Sequence, residues 1–308
     1  MIMLVILIVA YGGYILTPPL PVIVVCRLLQ GLGQGCISAL ALTMATDALP
    51  QEKMASGLSL YGIGGVLAGA LGPGLGITIL DRFGYSFAFS APFILLIIAL
   101  AMSVLLENSY IPGTKIRFTL RGMVCRESVL PAVLVLLAGL VRGGLYTFLI
   151  IFLTERNIEG ISVYYYVNAA VMIMARPLVG AIADRKGLHV TLFPAFAFFA
   201  LSLVLTAFCR STWQLMLVAV LNALGYGTAF SSAQALCMKV APSDLRGAAS
   251  TTSFIGLDLG DLLGPVICGA LVDWFGHSAM FLIMIIPVAL SALLLAVWLP
   301  KNRELVKP

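Results

Sequence analysis

The chain has 308 residues, 61% of them hydrophobic and only 10% charged, with a mean hydropathy of +1.08 and a formal net charge of +5. A soluble domain carries about 25% charged residues, so this composition excludes one and demands lipid as solvent. The positive charge does not argue for nucleic acid, because it is distributed as membrane orientation requires.

Runs of about 20 mostly apolar residues cross a bilayer as helices. In chain order they cover 1–17, 22–46, 55–80, 87–106, 129–153, 161–182, 190–209, 213–238, 247–272 and 279–299. Barrel strands would instead show segments of about ten residues with alternating polarity. The expected fold class is therefore an all-α integral membrane protein. Its organisation divides into a helical bundle over 1–106, a cytoplasmic linker over 107–127 and a six-helix bundle over 128–308. Residues 1–17 lack a positive leader and a small-residue cleavage site, and are read as a retained helix rather than a signal peptide.

Two long stretches, Gly31 to Phe89 and Ala223 to Phe281, align without a gap. Gly33 falls on Gly225, Pro50 on Pro242, and Gly72-Pro73 on Gly264-Pro265; Asp81, Phe83 and Gly84 recur as Asp273, Phe275 and Gly276. Homologous halves of several hydrophobic helices each are the mark of a secondary transporter. The same register leaves two C-terminal helices without partners, so about 65 further residues, enough for two spans, are expected before Met1. If 107–127 is cytoplasmic, twelve basic residues, Lys115, Arg121, Lys186 and Arg246 among them, lie inside and only Arg82, Arg156 and Arg210 outside. That bias puts both termini in the cytoplasm, and the plasma (inner) membrane is the expected location.

The segment Arg176 to Gly187, RPLVGAIADRKG, holds Gly180, Asp184, Arg185 and Gly187 in the pattern G-x-x-x-D-[RK]-x-G, which resembles the loop signature of the major facilitator superfamily. Arg27 to Gly35, RLLQGLGQG, resembles the fourth-helix pattern of that family's proton antiporters. Gly69 to Gly76, GALGPGLG, partly resembles their fifth-helix signature, departing from it at Ala68, Ile77 and Ser59. The resemblance covers essentially the whole chain, as helices three to twelve of a twelve-helix transporter, ten of the twelve being present. It implies two pseudo-symmetric bundles about a cavity open alternately to either side, and proton-coupled efflux of small organic molecules or drugs. Uptake of a sugar or organic ion stays open as a second reading, and a shortened, non-transporting membrane protein as a third. Implied partners are the lipid bilayer, protons and a small-molecule substrate, with a monomeric chain and no nucleic acid, metal or cofactor.

Asp258 and Asp261 fall near the middle of their run, three apart and so on one helix face. A mid-membrane carboxylate takes a proton when dry and releases it when water arrives, which suits coupling; capping a defect near Gly264-Pro265 is the structural alternative. Arg142 lies at matching depth, so a pair with Asp258 or Asp261 is geometrically open, either as a switch or as a static bridge. Arg27, with Gln30 and Gln34 on the same helix, has a coupling role by resemblance, or snorkels. By resemblance Asp184 and Arg185 lock the cytoplasmic side, Asp184 accepting from helix-start amides near Ala55; a solvated turn is the alternative. Arg176 snorkels or joins that cluster. Gly72, Pro73, Gly264 and Pro265 are placed to bend their helices. Tyr164, Tyr165 and Tyr166 are read as interfacial anchors. The six scattered cysteines are packing residues, and His189 and His277 stand alone in connecting segments, so neither supports an enzyme.

Overall fold

A computed structural model of the protein describes residues 1–16, 19–104, 124–158 and 161–301. Most of the expected linker therefore lies outside the described residues, as does the side chain of Pro73. The described residues form α1 (Ile2–Ile15), α2 (Leu20–Asp47), α3 (Met54–Phe83), α4 (Tyr85–Val104), α5 (Val129–Glu155), α6 (Ile161–Lys186), α7 (Leu188–Ala207), α8 (Thr212–Asn222), α9 (Thr228–Val240), α10 (Arg246–Ile283) and α11 (Ile285–Trp298), with no strand among them.

Among the described residues, seven segments are long and apolar enough to cross a membrane: 20–47, 85–104, 129–155, 163–186, 188–207, 212–240 and 243–298. The count of ten is not established by these seven, and two of the differences have simple causes. The 14 residues of α1 reach roughly 21 Å at about 1.5 Å each, short of a hydrocarbon core of about 30 Å. The last segment is 56 residues long and continuous in composition. It breaks at Gly276, whose φ of 78° is a left-handed conformation that only glycine adopts without strain. The break in α10 thus falls beyond Pro265, through which the helix continues. Two further segments join where sequence periodicity shows one: α8 and α9 are linked by a π-helical turn, Ala223–Gly227.

The chain divides into two compact units. The first comprises 1–42 and 71–120. Here α1 packs on α4, with Ala10, Tyr14 and Cys26 buried together and Phe89 against the Tyr14 ring at 5.1 Å. Ser86 Oγ donates to the carbonyl of Ile15 at 3.0 Å, tying the start of α4 to the end of α1.

The second unit comprises 43–70 and 121–308, and its organising contact is α5 against α10. Gly256, Gly260 and Gly264 line one stripe of α10 at four-residue spacing, and all three are buried. A β-carbon on Gly256 would stand 2.5 Å from the carbonyl oxygen of Ala132, and one on Gly260 2.7 Å from the amide of Leu140. Small residues let the two backbones touch, the usual basis of tight helix pairing where lipid supplies no hydrophobic drive. Ser128 Oγ at the start of α5 donates to the Cys237 carbonyl at 2.7 Å, which secures α9 to the same core. At the other end of α5, His277 Nδ1 meets Glu155 Oε2 at 2.9 Å and Arg156 donates to the Cys209 carbonyl at 2.7 Å. His277 is thus a paired side chain rather than a solitary one.

All six cysteines are free, and five of them are buried, as packing residues are.

Candidate functional site

The second unit encloses a cavity of about 520 Å³. Its walls are Tyr61, Gly62, Gly64, Gly65 and Gly69 of α3; Arg142 and Tyr146 of α5; Tyr165, Asn168, Ala169, Met172 and Arg176 of α6; Tyr226 and Gly227 of the π turn; Phe230 and Gln234 of α9; and Phe254 and Leu257 of α10. A space of this size, mostly apolar with several aromatic walls and a few polar groups, fits a small organic molecule.

Arg142 is brought here by the glycine seam. With α5 and α10 in backbone contact, the Arg142 Nη2 meets Asp261 Oδ2 in a salt bridge, with both side chains about one-third exposed (31% and 28%). The guanidinium also lies 5.9 Å from the Tyr146 ring and 5.7 Å from the Tyr226 ring. Cation–π contact of this kind holds the arginine while leaving its other edge uncommitted. Of the two carboxylates the sequence offers, Asp261 is therefore the partner. Asp258 is exposed and makes no hydrogen bond or ion pair among the described residues. A proton or an anion competing at the Arg142–Asp261 bridge changes which groups the cavity presents.

Arg176 departs from expectation. It neither snorkels nor joins Asp184, but is buried at 7% exposure in the cavity wall. Its Nη1 donates to the Ser59 carbonyl at 3.1 Å, Nη2 faces the Met172 sulfur at 4.0 Å, and Nε has no partner. Gly62 makes its room: a β-carbon there would stand 2.6 Å from the guanidinium carbon.

The tyrosine triplet also divides. Tyr164 is fully buried, Tyr165 faces the cavity within 5.7 Å of the Tyr146 ring, and Tyr166 is 54% exposed. Consecutive helical residues point about 100° apart, so three in a row cannot share one interfacial face. Tyr226 was beyond sequence reasoning because its position depends on the π turn, a device that often re-aims side chains at functional sites. It stacks on Phe230 at 5.8 Å. Asn168 is fixed by donation to the Ala219 carbonyl at 3.0 Å and the Asn222 amide oxygen at 3.1 Å.

The loop signature lies at the end of α6. Asp184 Oδ2 accepts the backbone N–H of Ser56 at 3.1 Å, one residue from the amide anticipated, in the first turn of α3. A carboxylate there meets the positive end of the helix dipole. Gly180 allows the approach, since its β-carbon would stand 2.5 Å from the Ser56 Cα. Gly187, at φ 91°, ends the helix by donating its N–H to the Ala183 carbonyl at 2.9 Å. Arg185 is exposed. Nearby, Arg246 Nη1 meets Asp47 Oδ1 at 3.2 Å.

In the first unit, Arg27 and Gln30 act together. Gln30 Oε1 accepts from Tyr14 OH at 3.0 Å and from Arg27 Nη1 at 3.3 Å, while its amide donates to Tyr11 OH at 3.1 Å. Arg27 itself is exposed and lies 5.4 Å from the Tyr14 ring. Gln34, also exposed, reaches Ser38 on its own helix at 3.4 Å. Gly72 is exposed and Gly264 buried in the seam, so matching positions of the repeat meet different surroundings.

Membrane-length apolar helices and an aromatic cavity with a few polar groups define an integral membrane protein with an internal space for a small organic molecule. Comparison with known proteins gives its family. The model of the Major Facilitator Superfamily matches residues 1–254 and 191–308, and the chain belongs to that superfamily. The human chromaffin granule amine transporter is 33% identical over 133 residues, 42% of this chain and 25% of that protein. The multidrug resistance protein MdtG of Enterobacter lignolyticus is 24% identical over 281 residues, 87% of this chain and 67% of that protein. The chain thus matches from a quarter to two thirds of these relatives' own length. Among solved structures, the human organic anion transporter MFSD10 superposes with a TM-score of 0.72 at 18% identity, covering 96% of this chain and 75% of that one. At that identity the likeness carries the fold alone.

Proposed function

We propose that the protein is a proton-coupled exporter of small organic molecules working by alternating access. The observation that carries this reading is the Arg142–Asp261 bridge, whose arginine lines an aromatic cavity, with Asp258 one turn away on the same helix. A carboxylate that gains and loses a proton as water reaches it alters the partners of Arg142, and so links proton movement to opening and closing. The names of the amine transporter and the multidrug resistance protein support export of organic molecules. Asp184 at the Ser56 amide is read as the cytoplasmic lock, with Gly180, Arg185 and Gly187 shaping that turn, and Arg27 and Gln34 as auxiliary coupling groups. In this reading the chain supplies ten spans, with bundles at 1–106 and 128–308 joined by 107–127. It works as a monomer in the plasma (inner) membrane with both termini cytoplasmic, and helices bend near Gly72-Pro73 and Gly264-Pro265. Uptake is the alternative direction, favoured by the departures at Ala68, Ile77 and Ser59 from the exporters' fifth-helix signature.

The test is counterflow in proteoliposomes with a panel of labelled organic anions, amines and sugars, with and without a pH gradient. Movement should depend on the gradient, and Asp258→Asn should remove that dependence while leaving exchange at equal pH intact. Gradient-independent movement in the unmutated protein refutes proton coupling, and failure of every solute to move refutes transport.

A further inference from the structure

We propose that the cavity selects organic anions with an aromatic body, the anionic group being held by the guanidinium of Arg176. This rests on reading the cavity as the transported molecule's site. The lining residues include two arginines and no aspartate or glutamate. The two arginines are not equivalent. Arg142 is neutralised by Asp261, whereas Arg176 has a backbone carbonyl, a thioether and an unpartnered Nε around it and no carboxylate partner among the described residues.

A charge more than nine-tenths buried is costly unless an opposite charge or several hydrogen bonds compensate it. The one good bond Arg176 makes, to Ser59, uses one of its five N–H groups. The guanidinium fork fits the two oxygens of a carboxylate, sulfonate or phosphonate, which would satisfy the rest. Around it, Tyr61, Tyr165, Tyr226, Phe230 and Phe254 supply flat apolar walls for a ring. An aromatic cation of the same shape would meet like charge with no carboxylate in the wall to receive it, so selection works by repulsion as well as attraction. Asp258, exposed and absent from the lining, acts on Arg142, which Asp261 already neutralises, and leaves Arg176 without a carboxylate partner among the described residues.

The alternative is that Arg176 only tethers α6 to α3 through Ser59, a role that fixes stability but not the sign of the ligand's charge. Equilibrium binding of labelled benzoate to the detergent-solubilised full chain, with no gradient, separates the two. Benzoate should bind saturably and be displaced by benzenesulfonate, with benzylammonium and benzyl alcohol at least tenfold weaker. Arg176→Gln should weaken benzoate at least tenfold and abolish the preference over benzyl alcohol, while Arg176→Lys keeps the preference for anions over benzylammonium. If the Gln variant does not fold, the Lys variant is read alone. Displacement by benzylammonium equal to that by benzenesulfonate, absence of saturable benzoate binding, or a Lys or folded Gln variant behaving contrary to these expectations overturns the proposal. Binding without counterflow refutes transport and keeps the anion site; counterflow of benzylammonium but not benzoate keeps transport and refutes the anion site.

Discussion

Gly260→Ala tests the seam on which the site depends. The added β-carbon would stand 2.7 Å from the Leu140 amide and 3.0 Å from the Gly139 carbonyl carbon, with the carbonyl oxygen of Leu136 closer still. Ordinary carbon contacts lie at about 3.5 to 4.0 Å, so α5 and α10 must part by roughly 1 Å. All three obstacles are backbone, and no rotamer change relieves them. Overpacking of this kind costs about 1 to 3 kcal/mol, against which the better helix propensity of alanine returns about 1 kcal/mol or less. Gly247→Ala, on the same helix with nothing within 4 Å of its β-carbon, keeps only the favourable part. In a melt of detergent-purified protein monitored by size exclusion, Gly260→Ala should lower the apparent midpoint and Gly247→Ala should leave it equal or higher. Because such unfolding is irreversible, the comparison is made at one heating rate. Equal midpoints for the two variants would mean that α5 and α10 do not touch along this stripe, and the delivery of Asp261 to Arg142 would lose its cause.

Reversing the bridge, Arg142→Asp with Asp261→Arg, should recover part of the roughly 1 kcal/mol that each single change costs at a partly exposed pair; additive losses in the melt would deny the contact. At the end of α6, Gly180→Ala should cost about 1 to 3 kcal/mol by driving a β-carbon into the Ser56 backbone, and Asp184→Asn about 1 kcal/mol or less because the amide oxygen still accepts the N–H. Equal midpoints for the parent and Gly180→Ala would contradict the close approach. Cys209, in the turn after α7, has its thiol pushed up chiefly by burial, with a backbone hydrogen bond at Ser211 and the Arg156 charge opposing. Raising its ionisation threshold lowers the reactive thiolate at pH 8, so mass spectrometry should find iodoacetamide alkylation slower in native than in unfolded protein, and equal rates would refute the burial.

The boundary between the last two runs was not legible, since the helix from Arg246 extends to Ile283; the membrane class and the all-helical character were, because each depends on composition and run length along the chain. The Asp184 contact was nearly legible for the same reason: a carboxylate at the end of one helix and free amides at the start of another are local properties. Which carboxylate pairs with Arg142 was not, since Asp258 and Asp261 share depth and face, and only the docking of α10 on α5 through Gly256, Gly260 and Gly264 separates them. Arg176 and Tyr226 were hidden for a related reason. A polar residue near a helix end reads as snorkelling until the room made by Gly62 is known, and a π turn shifts side chains by an amount that no periodicity announces. By itself the sequence determined that this chain dissolves in lipid as duplicated helical runs, because hydrophobicity and repetition are properties of the chain in order. Only the tertiary structure decided which charges face the cavity and which of them are neutralised, because burial and pairing are set by neighbours that are distant along the chain.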